Sequence, residues 1–201
     1  MKILKNLQSK LAPTYYVQLG SQEIRITDVE TAQVLTERTL LALETDAKGV
    51  KQVLAVGREA SALPAGKGRE VLKVFDHPRM LVADFSLAEK FLQLMLKKAA
   101  GKRFLSASPN VIMHPMEKLE GGLTEVEHRV LRELALGAGA HKVCVYTGAP
   151  LVGQQLDFAA LYQVEMETLQ VPARRAGLSG GALMLLSLAA MGLLLWLRYL
   201  N

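Results

Sequence analysis

The chain has 201 residues, half of them apolar and 21% charged, with a mean hydropathy of +0.19, which excludes a disordered chain and exceeds what an ordinary soluble domain carries. The formal net charge is +5, but no Asp or Glu follows Glu167; residues 1–170 hold 21 of the basic side chains and all 19 acidic ones, a net of +2. That body has no basic stripe with interleaved aromatics, so nucleic acid is not an expected partner, and the single cysteine, Cys144, excludes an intrachain disulfide framework and a CxxC metal site.

Residues 1–12, MKILKNLQSKLA, put Ile3, Leu4, Leu7 and Leu11 on one helical face and Lys2, Lys5 and Lys10 on the other. This is the pattern of an interfacial membrane helix, and equally of an amphipathic helix docked on its own domain. Pro13 ends it. From Tyr15 the period becomes that of strands, at 15–19, 23–27 and 32–36, a meander with turns at 20–21 and 28–31. Further strands are expected at 39–44, 51–56 and 70–75, with a helical turn or two at 58–63.

Two helices with start signals follow. Ser86 and Glu89 have capping-box spacing before an apolar face of Leu87, Phe91, Leu94 and Met95. Thr124 and Glu127 repeat the device before Val126, Val130, Leu131 and Leu134, and Gly137 with Gly139 ends that helix. Strands are expected at 110–114 and 142–146, a weak helix at 150–165 and a linker at 166–176. Residues 177–197, GLSGGALMLLSLAAMGLLLWL, carry no charge over 21 positions. As a helix this segment is about 31 Å long, which matches a hydrocarbon core. Trp196 and Tyr199 fall where interfacial aromatics belong, and the Arg174–Arg175 pair outweighs Arg198. The expectation is a single-pass tail anchor in a bacterial inner membrane, with the body on the cytoplasmic side.

The element order is βββ, a small β-rich insertion at about 37–75, then αβαβα. It predicts an α/β fold, an actin-like (ribonuclease-H-like) half-domain over 14–165, plus one C-terminal transmembrane helix. Three runs make this specific. AVGREA at 55–60, VADFSLAEKFLQ at 82–93 and LTEVEHRVLRELALGAGAHKV at 123–143 resemble, in order, runs of the bacterial actin homologue MreB family. The resemblance covers about residues 15–155 and matches the first half of that family, subdomains IA and IB. The second half has no counterpart here.

What the resemblance implies about chemistry turns on altered residues. Where the family's first phosphate hairpin reads Asp-Leu-Gly-Thr, this chain has Gln18, Leu19, Gly20 and Ser21. Gly20 and a hydroxyl remain, but the carboxylate has become an amide. The family's Glu-Glu-Pro is replaced by Gly148, Ala149 and Pro150. The second hairpin is missing; Gly180–Gly181 lies in the apolar segment. A nucleotide-binding remnant at Gln18, Gly20 and Ser21 is therefore expected, without catalytic residues, cofactor or metal, so the chain is not expected to be an enzyme. His77, His114, His128 and His141 show no ligand spacing.

Lys102 and Arg103 beside Phe104 and Leu105 make an apolar tip with a basic collar, as a membrane-touching loop needs. The family places a membrane-inserting hydrophobic pair in this loop; the alternative is that Phe104 tucks under the sheet. The expected role is a membrane-anchored scaffold or filament-interacting factor in bacterial cell shape or cell-wall synthesis, its partners being the membrane and MreB filaments or cell-wall elongation proteins. The rival expectations are an actin-like platform component of a type II secretion or type IV pilus system, and a residual nucleotide sensor.

Overall fold

A computed structural model describes residues 12–101 and 107–170. One unit runs to Glu165; a second begins at Met166, and its described part is the end of the last helix. Several expected sites lie outside the described residues. These are the N-terminal segment with Ile3, Leu4, Leu7 and Leu11, the loop residues Lys102, Arg103, Phe104 and Leu105, and the 177–197 segment with its flanks Arg174, Arg175, Trp196 and Tyr199. Among the described residues no helix is long and apolar enough to cross a membrane.

In chain order the elements are β1 (Thr14–Leu19), β2 (Glu23–Asp28), β3 (Val34–Arg38), β4 (Leu40–Thr45), β5 (Lys51–Val56), α1 (Arg58–Ala62), β6 (Arg69–Lys73), α2 (Phe85–Ala100), β7 (Asn110–Pro115), α3 (Glu125–Gly137), β8 (Lys142–Val145) and α4 (Phe158–Gln170). A mixed sheet has the order β3-β2-β1-β7-β8, and a smaller one the order β5-β4-β6. β1 pairs antiparallel with β2, from Tyr15 opposite Asp28, and parallel with β7, from Thr14 opposite Asn110. β7 and β8 are also parallel. The small sheet is antiparallel throughout.

Because β1 is central, both its faces are covered, and period two divides the cover. Tyr15, Val17 and Leu19 join one core with Val111, Met113, Val143 and Val145, under α2 and α3. Helix α2 offers Ala88, Phe91, Leu92, Met95 and Leu96, the i, i+3, i+4, i+7, i+8 stripe of a helix facing a core. Each such large side chain contributes about 1.5–3 kcal/mol on burial. Phe91 meets Phe75 edge to face at 5.6 Å. Tyr16, His114 and Cys144 are also buried, and belong to the sheet's other face.

Three expected starts shift, and the strand expected at 70–75 is Arg69–Lys73. Strand β3 starts at Val34 rather than 32, because Asp28 builds a longer turn. Its carboxylate accepts the N–H groups of Glu30 and Thr31, and Ala32 takes a φ of 56°. The cap of α2 is Asp84, whose carboxylate accepts the Leu87 N–H at 3.0 Å, so Ser86 sits inside the first turn. Helix α4 begins at Phe158, after an irregular stretch, because Asp157 accepts the N–H groups of Ala159 and Ala160. It continues to Gln170. The Thr124–Glu127 capping box forms as the spacing predicts, with both bonds present.

Candidate functional site

Parallel strands deliver their following loops to one edge, where α/β sheets bind ligands. Here β1, β7 and β8 carry the Gly20–Ser21 turn, the 116–123 loop and residues 146–151 to that edge. Gln18, half-buried on β1, directs its amide to the Met116 sulfur at 3.8 Å. The Gly20 N–H donates to the Glu23 carbonyl at 3.0 Å, which closes the hairpin. The Ser21 N–H donates to Glu117 Oε1 at 3.1 Å. The Thr39 hydroxyl donates to the Ser21 carbonyl at 2.5 Å. A Cβ on Gly20 would stand 2.9 Å from Glu117 Oε1, so the carboxylate lies directly on the glycine.

Behind this edge lies a neutral network. The Leu151 N–H donates to the Tyr16 hydroxyl at 3.2 Å, and Tyr16 bonds His114 Nδ1 at 2.6 Å. The His114 imidazole bonds the Gly148 backbone, and the Tyr146 ring packs against it edge-on at 5.0 Å. Burial pushes the His114 pKa down against that backbone bond, and burial pushes the Tyr16 phenol up against the Leu151 N–H. The Tyr146 ring lies against Gly148, its hydroxyl where a Cβ would stand. The 146–151 segment therefore brings backbone groups and a tyrosine to the edge, with no carboxylate of its own.

One ionic cluster sits beside β8. Glu165 accepts the Val145 N–H at 2.9 Å and lies 2.7 Å from Arg132 and 2.9 Å from His128. Cys144 beneath it is no nucleophile, since burial and the Glu165 charge push its thiol up to about 12. Among the described residues no group of three His, Cys, Asp or Glu side chains is placed to hold a metal ion.

The AVGREA run makes a second carboxylate–glycine junction. Gly57, with a φ of 68°, ends β5, and the next residue, Arg58, donates its N–H to Glu37 Oε2 at 2.8 Å. A Cβ on Gly57 would stand 2.4 Å from that oxygen. Lys98 of α2 reaches Glu37 at 3.0 Å and Glu59 at 2.9 Å. Burial works against the Glu37 charge, but the Arg58 N–H and the Lys98 ammonium together hold its carboxyl below the usual range. This junction fastens the small sheet to β3 and α2.

The structure thus brings Gln18, Gly20 and Ser21 to one edge. The sequence reading missed Glu117, Tyr16 and Glu37. Glu117 sits in a polar EKLEGG loop with no motif; the one available signal was the strand before it, whose parallel pairing points the loop at the hairpin.

The family model described as MreB/Mbl protein matches residues 13–157. The cell shape-determining protein MreB of Haemophilus influenzae is 28% identical over 142 residues, and that of Escherichia coli K12 is 30% identical over the same length. Each match covers 70% of this chain, which spans 39% and 40% of the two relatives' lengths. Among solved structures, MreB5 of Spiroplasma citri bound to ADP aligns with a TM-score of 0.51 at 18% identity, over 68% of this chain and 38% of that one.

Proposed function

The chain belongs to the MreB/Mbl family, and from that footing we propose that it is a catalytically degenerate, membrane-anchored member acting as a scaffold or filament-interacting factor in bacterial cell shape or cell-wall synthesis. Its described body has an actin-like fold. The observation that carries the degenerate reading is the occupied hairpin: the Ser21 N–H, which a phosphate would need, is bonded to Glu117.

Phosphoryl transfer in actin-like ATPases requires backbone donors facing phosphate, and carboxylates to order Mg²⁺ and water. At this edge Gln18 stands where the family has a carboxylate, the Gly148–Pro150 segment adds none, and the Glu117 carboxylate is engaged by the Ser21 N–H, which supports the degenerate reading. The anchoring part of the reading rests on the uncharged 177–197 segment and its arginine flank, and the filament part on family membership.

Three measurements test the proposal. The full chain is expected in the membrane fraction, resisting high-salt extraction, and a tagged copy is expected to co-purify MreB or cell-wall elongation proteins. Purified protein is expected to show no ATP turnover. Turnover that falls on mutation of Gly20 or Ser21 would sink the degenerate reading, and capture of secretion-system proteins alone would sink the cell-shape reading.

A further inference from the structure

We infer that the 116–123 loop is a built-in strap that shuts the Gly20–Ser21 hairpin to phosphate, with the Glu117 carboxylate seated in the anion's place. The inference rests on the reading of that hairpin as a nucleotide-site remnant, and it assigns Glu117 the part of deciding what the hairpin admits.

Three features carry it. First, two of the three N–H groups of the 20–22 turn are used within the chain, Gly20 by the Glu23 carbonyl and Ser21 by Glu117. Second, Glu117 Oε1 lies 2.9 Å from where a Cβ of Gly20 would be. It covers the bare backbone face that a phosphate oxygen would approach. Third, the strap is fastened on its other side by the very next residue. Lys118 holds a φ of 60°, a left-handed conformation uncommon outside glycine, and its ammonium donates to the carbonyls of His77 and Met80. A loop that only crossed the surface would need neither the strained backbone nor the paired attachments. Glu117 is exposed, so the seat is held by one charge-assisted bond and by exclusion of other anions, not by burial.

The test uses the full chain in mild detergent, as wild type, Glu117→Ala, Glu120→Ala and Lys118→Ala. Glu120 is an exposed acid of the same loop and controls for net charge. Hydrogen exchange at the peptide holding Ser21 and calorimetric titration with inorganic tripolyphosphate are the readouts. Glu117→Ala is expected to speed Ser21 exchange at least tenfold and to bind tripolyphosphate at least tenfold more tightly than wild type. Glu120→Ala should match wild type in both, and Lys118→Ala should fall between. Unchanged Ser21 exchange in Glu117→Ala overturns the seat. Faster exchange without anion binding overturns the claim that Glu117 is what excludes phosphate. Equal tightening by Glu120→Ala reduces the effect to net charge and overturns it as well. Tripolyphosphate binding by a wild type that has no ATP turnover removes the strap and leaves the functional reading intact.

Discussion

Among the described residues one local device is used twice, and the two uses differ in what surrounds them. At Gly57–Arg58 and at Gly20–Ser21 a carboxylate lies over a glycine and accepts the N–H of the following residue, at 2.8 Å and 3.1 Å. Glu37 is buried and has the Lys98 ammonium beside it. Glu117 is exposed. A buried carboxylate that has lost its solvent must keep its partners, so the first junction is permanent. An exposed one can exchange its partner for water, so the second can open. Glycine serves different ends as well. At 57 it supplies a left-handed backbone and space; at 20 the φ is ordinary and only the space counts.

The largest expected effect breaks the permanent junction. Gly57→Ala forces a left-handed Ala and drives its Cβ onto a buried carboxylate, which should cost about 2–4 kcal/mol in urea unfolding. Gly20→Ala should cost no more than about 1 kcal/mol, because the exposed Glu117 side chain can swing away. Equal costs would erase the distinction.

Next comes the cation. Lys98→Ala leaves Glu37 with only the Arg58 N–H and should cost about 1–2 kcal/mol, a figure reduced for the lysine's partial exposure. Glu117→Ala should change stability by less than about 0.5 kcal/mol. Acid sharpens the contrast. The folded Glu37 carboxyl is held below the ordinary 4.5, so its contribution is present above that value and lost as pH falls through the folded value. In Glu37→Gln the stability profile below pH 4.5 should flatten.

His114 gives a milder dependence at higher pH. Its folded pKa lies below 6.5, so the unfolded chain takes up the proton first, and stability should fall as pH drops through 6.5. Denaturation midpoints from pH 7.5 to 5.5 should decline in wild type and decline less in His114→Phe. A calibration lies away from both junctions: Thr124→Ala removes the α3 capping box and should cost about 1 kcal/mol.

Much of this architecture was legible in the residues. The strand period placed β1, β2 and β7, and the Thr124–Glu127 spacing placed the start of α3, because each signal is local. Asp84 and Asp157 act as caps just as locally, but each competed with a stronger-looking alternative. Ser86 has a Glu three residues on, and the apolar run from Leu151 reads as a helix until Asp157 ends the irregular backbone. The carboxylate junctions were not legible. Glu37 meets Arg58 across 21 positions and Glu117 meets Ser21 across 96, distances that only the sheet order brings together. Gln18 could be read as altered beside a retained Gly20 and hydroxyl; that another part of the chain fills the space could not.

The pairing of β1 with β7 also bears on how the molecule is made. Thr14 faces Asn110 across the centre of the sheet, so β1 leaves the ribosome long before the strand it pairs with. The β1–β2–β3 meander is local and forms quickly, but its apolar β1 edge stays open while the small sheet and α2 are synthesised. Pairing so distant in sequence predicts slow folding for a domain of this size. During that interval the strand is a template for another chain's strand, so yield should depend on expression rate and on chaperone supply more steeply than overall stability would suggest.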